Sequence, residues 1–453
     1  MTMSNRRMSV SRRGFLGRAA AWAAVPAIVP AGALGSDGAV APSNRITLGF
    51  IGIGAMGQGH VRLCTQYPEV QIVALCDVDR WRRETAKAVV EEQYAARQAG
   101  GTYRGCRAHN DLREVIGRDD VDAVVVATGD RWHALATIMA AKAGKDVYTE
   151  KPCSLTIVEA RAMIDTVRRY GRVFQGGLQQ RSTPEFRKAC ELVRAGAVGK
   201  VQIVYVTFPG TSGEVSLPAE PVPEGLDWDL WLGPAPSRPY NKAFHPYGRP
   251  HGVVPWHFCR DFGGGNLTSN AVHAFDVVQW GLAMDHSGPV EIVPPETGQV
   301  PALTYKYANG TLLQVVDWRL DGKKHQVPKG WDEKTRIQAF GAVFVGDRGW
   351  IHVGRSGYLT SYPEEIVREA RAVREPDRPV NNHHQNWFDS IRTRQEPACH
   401  VEKGCRSTMV SHLGCIAHWT GRALKWDPVK EVFPGDEEAN RWLSRAMRPP
   451  WRL

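Results

Sequence analysis

From position 46 the chain alternates short apolar runs with longer stretches in which apolar residues recur every third or fourth position. The runs "ITLGFIGI" (46–53), "VQIVALC" (70–76), "AVVVA" (123–127) and "DVY" (146–148) have strand length, and their nearly continuous hydrophobicity predicts burial on both faces. Between them, 57–67, 79–98 and 133–143 read as helices with one apolar stripe. Strands and helices in alternation predict an α/β fold, a parallel sheet covered by helices on both sides. Past about residue 173 the pattern changes: "VQIVYVTF", "ALTYKYA", "TLLQVVDW" and "AVFVGDRGWIHVG" read as strands of a separate sheet, with helices over 386–394 and 403–424. The expected division is a leader over 1–35, a first domain over 44–172 and a second over 173–453.

The leader changes the picture of where the protein works. In "SRRGFLGRAAAWAAVPAIVPAGAL" (11–34), Arg12 and Arg13 precede Phe15 and Leu16, and the apolar run that follows is interrupted by Pro26 and Pro30. That run is too short and too broken to span a bilayer. The segment resembles a twin-arginine export signal, with Ala31, Gly32 and Ala33 as small residues for cleavage. It implies a protein that crosses the membrane folded, works in the periplasm or otherwise outside the cytoplasm, and keeps no stable membrane span after cleavage. Arg6, Arg7, Arg12, Arg13 and Arg18 supply half of the formal charge of +10, and no long basic block follows, so nucleic acid is not expected as a partner. At 453 residues, 43% hydrophobic and 23% charged, the rest has the composition of a globular enzyme. Nine cysteines without a CxxC pair read as buried thiols, no metal-ligand spacing is present, and His383 and His384 are expected on the surface or in a substrate loop.

Chemistry concentrates in two places. Gly52, Gly54 and Gly57 spell GxGxxG between the first strand and the first helix, where glycines let the backbone turn and approach a pyrophosphate at a helix N-terminus. Asp77 ends the next strand, placed to accept hydrogen bonds from the ribose hydroxyls of an adenosine; this favours NAD, while Arg80 leaves NADP open. The second place is "DVYTEKPCS" (146–154), which delivers Glu150, Lys151 and Pro152 to the carboxyl edge of the sheet, where ligands of open α/β sheets bind. Beside an oxidised nicotinamide, positive charge and partial desolvation favour the neutral amine of Lys151, a proton acceptor from a substrate hydroxyl.

The set "GFIGIGAMG", "ALCDVD", "ATGDRWHA", "EKP" and "GGLQQRS", continued by "LDWDLWLGPAP", "DFGGGNLTSNAVHAFDVVQWGL" and "GDEEANRWLS", resembles the glucose-fructose oxidoreductase, inositol dehydrogenase and MocA family, Gfo/Idh/MocA. The resemblance implies a Rossmann domain followed by an α/β domain with an open, mainly antiparallel sheet, homo-oligomers, and NAD(P)-dependent oxidation of sugars, cyclitols and their relatives. It makes Lys151 the catalytic lysine. It puts Met56, Thr128, Asp130, His133 and Glu150 with the cofactor, and Gln180 and Arg181 with the substrate, to which the aromatic ring of Trp256 adds a further candidate. His273 matches a histidine that many relatives pair with an aspartate four residues earlier; here that position is Ser269, a departure. Asp276, at i+3, either orients His273 or forms an ordinary buried polar pair with it.

Export and a nicotinamide cofactor are compatible if the cofactor is loaded before export and held tightly. The reading favoured by the sequence is an oxidoreductase acting on a carbohydrate with retained NAD. The alternatives are an NAD-dependent redox-neutral glycoside hydrolase and a non-catalytic carbohydrate-binding scaffold, whose support is Ser269. Trp228, Trp231 and Trp256, in the aromatic-rich stretch 209–264, are candidates for a sugar platform or for core packing.

Overall fold

The computed structural model describes residues 40–41, 44–95, 103–249, 255–368 and 382–453; the expected export signal lies outside the described residues. Strands β1 (Ile46–Ile51), β2 (Val70–Cys76), β3 (Arg107–His109), β4 (Ala123–Val126), β5 (Asp146–Thr149) and β6 (Phe174–Gly176) form one sheet in the order β3-β2-β1-β4-β5-β6, parallel throughout. The strand order reverses between β1 and β4, which opens a crevice at their carboxyl ends. β3 and β6 are three residues each, too short for a periodic signal, and β6 carries this sheet four residues past the expected boundary at 172. Helices Ala55–Cys64, Arg80–Gln93 and Asp130–Lys142 fill the expected helical stretches, starting where Gly54, Asp79 and Gly129 serve as N-caps.

The second sheet comprises β7 (Val201–Val206), β8 (Glu291–Val293), β9 (Leu303–Lys306), β10 (Leu312–Val315), β11 (Ala342–Gly346), β12 (Trp350–Val353), β13 (Leu359–Tyr362) and β14 (Leu424–Lys425). Its order is β13-β12-β11-β7-β10-β9-β8-β14, with every pairing antiparallel except β7 with β10. The open, mainly antiparallel sheet expected of the second domain is therefore present.

Helix Val401–Thr420 is buried along most of its length and joins the two halves into one apolar core, in which Val147 and Phe174 of the first sheet belong with Leu313, Phe344 and Ile351 of the second. Helix His383–Thr393 returns to the first sheet, where Trp387 and Phe388 share a cluster with Phe50 and Tyr148. This corrects the expectation for His383 and His384: they are 6% and 5% exposed, enclosed because their helix carries those aromatic anchors inward. All nine cysteines are buried and free. No helix among the described residues is long and apolar enough to cross a membrane.

Candidate active site

The crevice at β1 and β4 is lined by Gly52, Gly54, Met56, Asp77, Thr128 and Gly129, among others. A Cβ at Gly57 would lie 2.2 Å from the Gly52 carbonyl oxygen, and one at Gly52, whose φ is +89°, would lie 2.7 Å from the Ala127–Thr128 backbone. Glycine alone allows this loop to close onto β4. Helix Ala55–Cys64 begins at Gly54 without a side-chain cap, so its first N–H groups are bare toward the crevice. Asp77 Oδ2 accepts from the Ile53 amide at 2.6 Å and Oδ1 from the Asp79 amide at 2.9 Å, which fixes the carboxylate while leaving each oxygen a lone pair. An uncapped helix start for a pyrophosphate beside a fixed carboxylate for ribose hydroxyls fits a dinucleotide. Arg80 is exposed and sits 3.8 Å from Glu224, so the residue that kept NADP open is engaged outside this lining; Arg82 lines the crevice instead.

The aromatic-rich stretch folds over the same crevice. Trp231 and Trp256 line it together with Phe244 and His245. Trp228 and Trp231 are 8% and 7% exposed and stack at 4.4 Å. Trp231 Nε1 donates to His245 Nδ1 at 3.0 Å, and His245 Nε2 donates to Asp79 Oδ2 at 3.0 Å. Arg131 lies 3.7 Å from the Trp231 ring centroid, and Trp132 donates to the Leu230 carbonyl at 3.0 Å. This corrects the sugar-platform expectation for Trp228 and Trp231, which seal onto the dinucleotide side through Asp79, Arg131 and Trp132; Trp256 is half-buried and lines the crevice.

Lys151 follows β5. Its Nζ donates to the main-chain carbonyl of Ser269 at 2.7 Å. That carbonyl is available whatever residue stands at 269, while the Ser269 hydroxyl itself is buried without a partner among the described residues. Glu150 is 3% exposed and takes His60 Nε2 at 2.8 Å, while His60 Nδ1 meets His384 Nε2 at 2.9 Å. Burial alone would raise the Glu150 carboxyl, but the hydrogen bond and charge of His60, with Lys151, outweigh it and hold it down at about 2. His133 is 1% exposed and burial lowers its pKa, so its neutral ring has one N–H to donate: Nδ1 lies 2.6 Å from the Pro152 carbonyl oxygen and Nε2 3.1 Å from that of Thr128. It ties the turn after Lys151 to the loop after β4, a positioning role instead of the expected cofactor contact. Asp130 is also sealed, at 3% exposure with Oδ2 unpartnered, and burial pushes its carboxyl up to about 7 against the charge of Lys151.

On the substrate-domain side, His273 is 4% exposed. With its amide set by its neighbours, Gln180 donates from nitrogen to His273 Nδ1 at 2.9 Å and accepts at oxygen from Arg355 Nη2 and Nε at 3.0 and 3.1 Å. Burial, then the charges of Lys151 and Arg355, hold His273 well below its ordinary titration range, so it is neutral. An accepting Nδ1 leaves the proton on Nε2. His273 is thus a hydrogen-bond donor at its other nitrogen.

Asp276 does not orient it. Asp276 accepts from Arg181 Nε at 2.9 Å and Nη2 at 2.8 Å, and from Ser407 Oγ at 2.8 Å; Arg181 also holds Asp285 at 2.6 and 3.2 Å. Burial opposes the guanidinium charge, but the two carboxylates prevail and keep Arg181 protonated. This corrects both assignments: Arg181, 4% exposed, is sealed away from substrate, and Asp276 is its counter-ion, because a bidentate guanidinium outcompetes an imidazole for a buried carboxylate. Missed by sequence reasoning are Arg355 and the half-buried row Phe340, Phe208 and Trp318, whose neighbouring rings lie 4.9 Å apart, with Phe340 edge-on to His273 at 5.4 Å. Phe208 and Phe340 have φ of +76° and +61°, a strained region for bulky residues that no local pattern announces.

Comparison with known proteins gives the family and the fold. A family model described as an oxidoreductase family, NAD-binding Rossmann fold, matches residues 46–178, and one described as an oxidoreductase family, C-terminal alpha/beta domain, matches residues 205–453. The chain belongs to the Gfo/Idh/MocA oxidoreductase family, and its first domain is an NAD-binding domain. It is 30% identical to the rhizopine catabolism protein MocA of Rhizobium meliloti over 161 residues, 36% of this chain and 46% of that protein. It is 34% identical to an alpha-N-acetylgalactosaminidase of Shewanella oneidensis over 135 residues, 29% of this chain and 28% of that protein. Each match spans less than half the length of the relative. The fold is shared with aldose-aldose oxidoreductase from Caulobacter crescentus, solved with glycerol, at a TM-score of 0.54 and 18% identity, covering 84% of this chain and 99% of that one.

Proposed function

We propose that the protein is an exported oxidoreductase that oxidises a CH–OH group of a sugar, cyclitol or related polyol and keeps its NAD bound between half-reactions. The observation that carries this reading is the pairing, at the edge of an NAD-binding sheet, of Lys151 Nζ on a main-chain carbonyl with a neutral His273 that donates from Nε2. Bound NAD supplies the hydride acceptor. Lys151 takes the proton of the substrate hydroxyl as hydride leaves the carbon, and His273 Nε2 donates a hydrogen bond to the same oxygen. Glu150, anchored by His60, and His133, packed between the Pro152 and Thr128 carbonyls, fix the turn that presents Lys151.

Retention is supported by the aromatic stretch anchored on Asp79 through His245, which covers the dinucleotide side. The fold neighbour named aldose-aldose oxidoreductase is of the kind this reading requires, oxidising one sugar and reducing another. Carriage through the twin-arginine route, a periplasmic location and a homo-oligomer belong to the same proposal. The match to an alpha-N-acetylgalactosaminidase favours a second reading, redox-neutral glycoside hydrolysis, but it covers 29% of this chain. Lys151→Met in NAD-loaded protein is expected to lose reduction of the bound cofactor by sugar while retaining the cofactor; undiminished reduction would remove Lys151 from the chemistry. Product analysis separates the two readings, since hydrolysis releases sugar without net oxidation.

A further inference from the structure

We propose that the substrate of this site carries a carboxylate, as in a hexuronate, and that Arg355 binds it; the assignment rests on the oxidoreductase reading for which hydroxyl reacts. Arg355 lies on the turn between β12 and β13, with its guanidinium carbon 3.9 Å from the Phe340 ring centroid and its Nε and Nη2 on the Gln180 oxygen. Those two contacts fix the plane of the fork and leave the outer edge, Nη1 with the second Nη2 proton, uncommitted among the described residues. That edge is the one a carboxylate engages bidentately.

The charges around the site make the edge conspicuous. Arg181 is saturated by Asp276 and Asp285, and Glu150 is committed to His60. Arg355 is exposed and forms no ion pair among the described residues, although the Glu150 charge reaches it, and Lys151 meets a neutral carbonyl. Gln180 links Arg355 directly to His273, so an anion on the fork stands one amide away from the proton-handling group. Phe340, under the Arg355 guanidinium and edge-on to His273, begins a row with Phe208 and Trp318, half-buried rings of the kind on which the apolar face of a pyranose packs. A single fork matches a monoanion. The next arginine along the row, Arg336, stacks on Trp318 at its far end, and Arg181 is held by its two carboxylates, which leaves the fork of Arg355 single.

The test is calorimetric titration of NAD-loaded protein with glucuronate and galacturonate, the parent hexoses and their 6-phosphates. A hexuronate is expected to bind roughly tenfold or more tighter than its parent hexose, the scale of a charge-assisted hydrogen bond. Arg355→Gln, checked for an unchanged melting temperature, should bring that ratio to about one, and Arg355→Lys should restore part of it. Equal affinity for hexuronate and hexose, tighter binding of the phosphates, a ratio unmoved by Arg355→Gln, or no binding of any hexuronate would overturn the assignment. Absorbance of the reduced cofactor in the same samples separates the two claims. Carboxylate-selective binding without any reduction would sink the oxidoreductase reading and leave Arg355 as assigned, whereas reduction by hexoses without carboxylate preference would sink Arg355 alone.

Discussion

Asp276→Asn is expected to damage stability and spare chemistry. The carboxylate is fully buried and accepts from Arg181 at 2.8 and 2.9 Å and from Ser407 at 2.8 Å. Removing one member of a buried ion pair costs about 3–5 kcal/mol, most of it from the charge left behind. Arg181 keeps Asp285, at 2.6 Å and with a 19% exposed side chain, so the lower end, about 3 kcal/mol, applies. Urea denaturation of the NAD-loaded protein, followed by tryptophan fluorescence, reads this as a lower midpoint at constant slope. Turnover measured well below the transition should stay close to that of the parent protein, because His273 takes its orientation from Gln180. A loss of roughly 10²–10⁴ in turnover with the midpoint unchanged, the scale of a missing acid or base, would refute this and return Asp276 to the catalytic set.

Three further outcomes follow from the same contacts. Gly57→Ala puts a Cβ 2.2 Å from the Gly52 carbonyl oxygen, and NADH titration of cofactor-stripped protein should show affinity weakened roughly ten- to a hundredfold, from about 1–3 kcal/mol of overpacking. Glu150 is held at about 2 from an ordinary 4.5, so its contribution is fully present above pH 4.5 and is lost as pH falls toward 2. Denaturation midpoints across that window should carry up to about 3 kcal/mol of slope that Glu150→Gln abolishes, and an identical slope in the variant would contradict the buried pair. His245→Ala leaves the Asp79 carboxylate and the Trp231 N–H without their shared partner, and NAD dissociation, timed by dilution into a scavenging dehydrogenase, should speed up about tenfold. An unchanged rate would detach the aromatic stretch from cofactor retention.

The sequence made legible what is local. GxGxxG, Asp77 and the Glu-Lys-Pro turn each follow from a strand that ends and a chain that must turn; the structure sets the glycines and Asp77 around one crevice and the Glu-Lys-Pro turn at the end of β5 in the same sheet. Side-chain partners from distant segments were invisible. Helical spacing put Asp276 on the face of His273, but its partner arrives from Arg181, 95 residues away. His383 and His384 look like surface polar residues until their helix folds against Tyr148 and His60. The tryptophans advertised a sugar platform, yet Trp231 is tied to Asp79 through His245, while the rings beside His273 are Phe340 and Phe208, held in a backbone conformation that sequence does not encode visibly. At Ser269 the sequence showed the side chain but not the contact that the backbone makes, since Lys151 Nζ donates to its carbonyl.

The central claim, a retained NAD serving Lys151, is tested most directly by purifying the protein without added nucleotide, then denaturing it and quantifying what is released by absorbance and mass. The account predicts close to one NAD per chain, oxidised and reduced forms together. An empty protein that also fails to bind added NAD would contradict it.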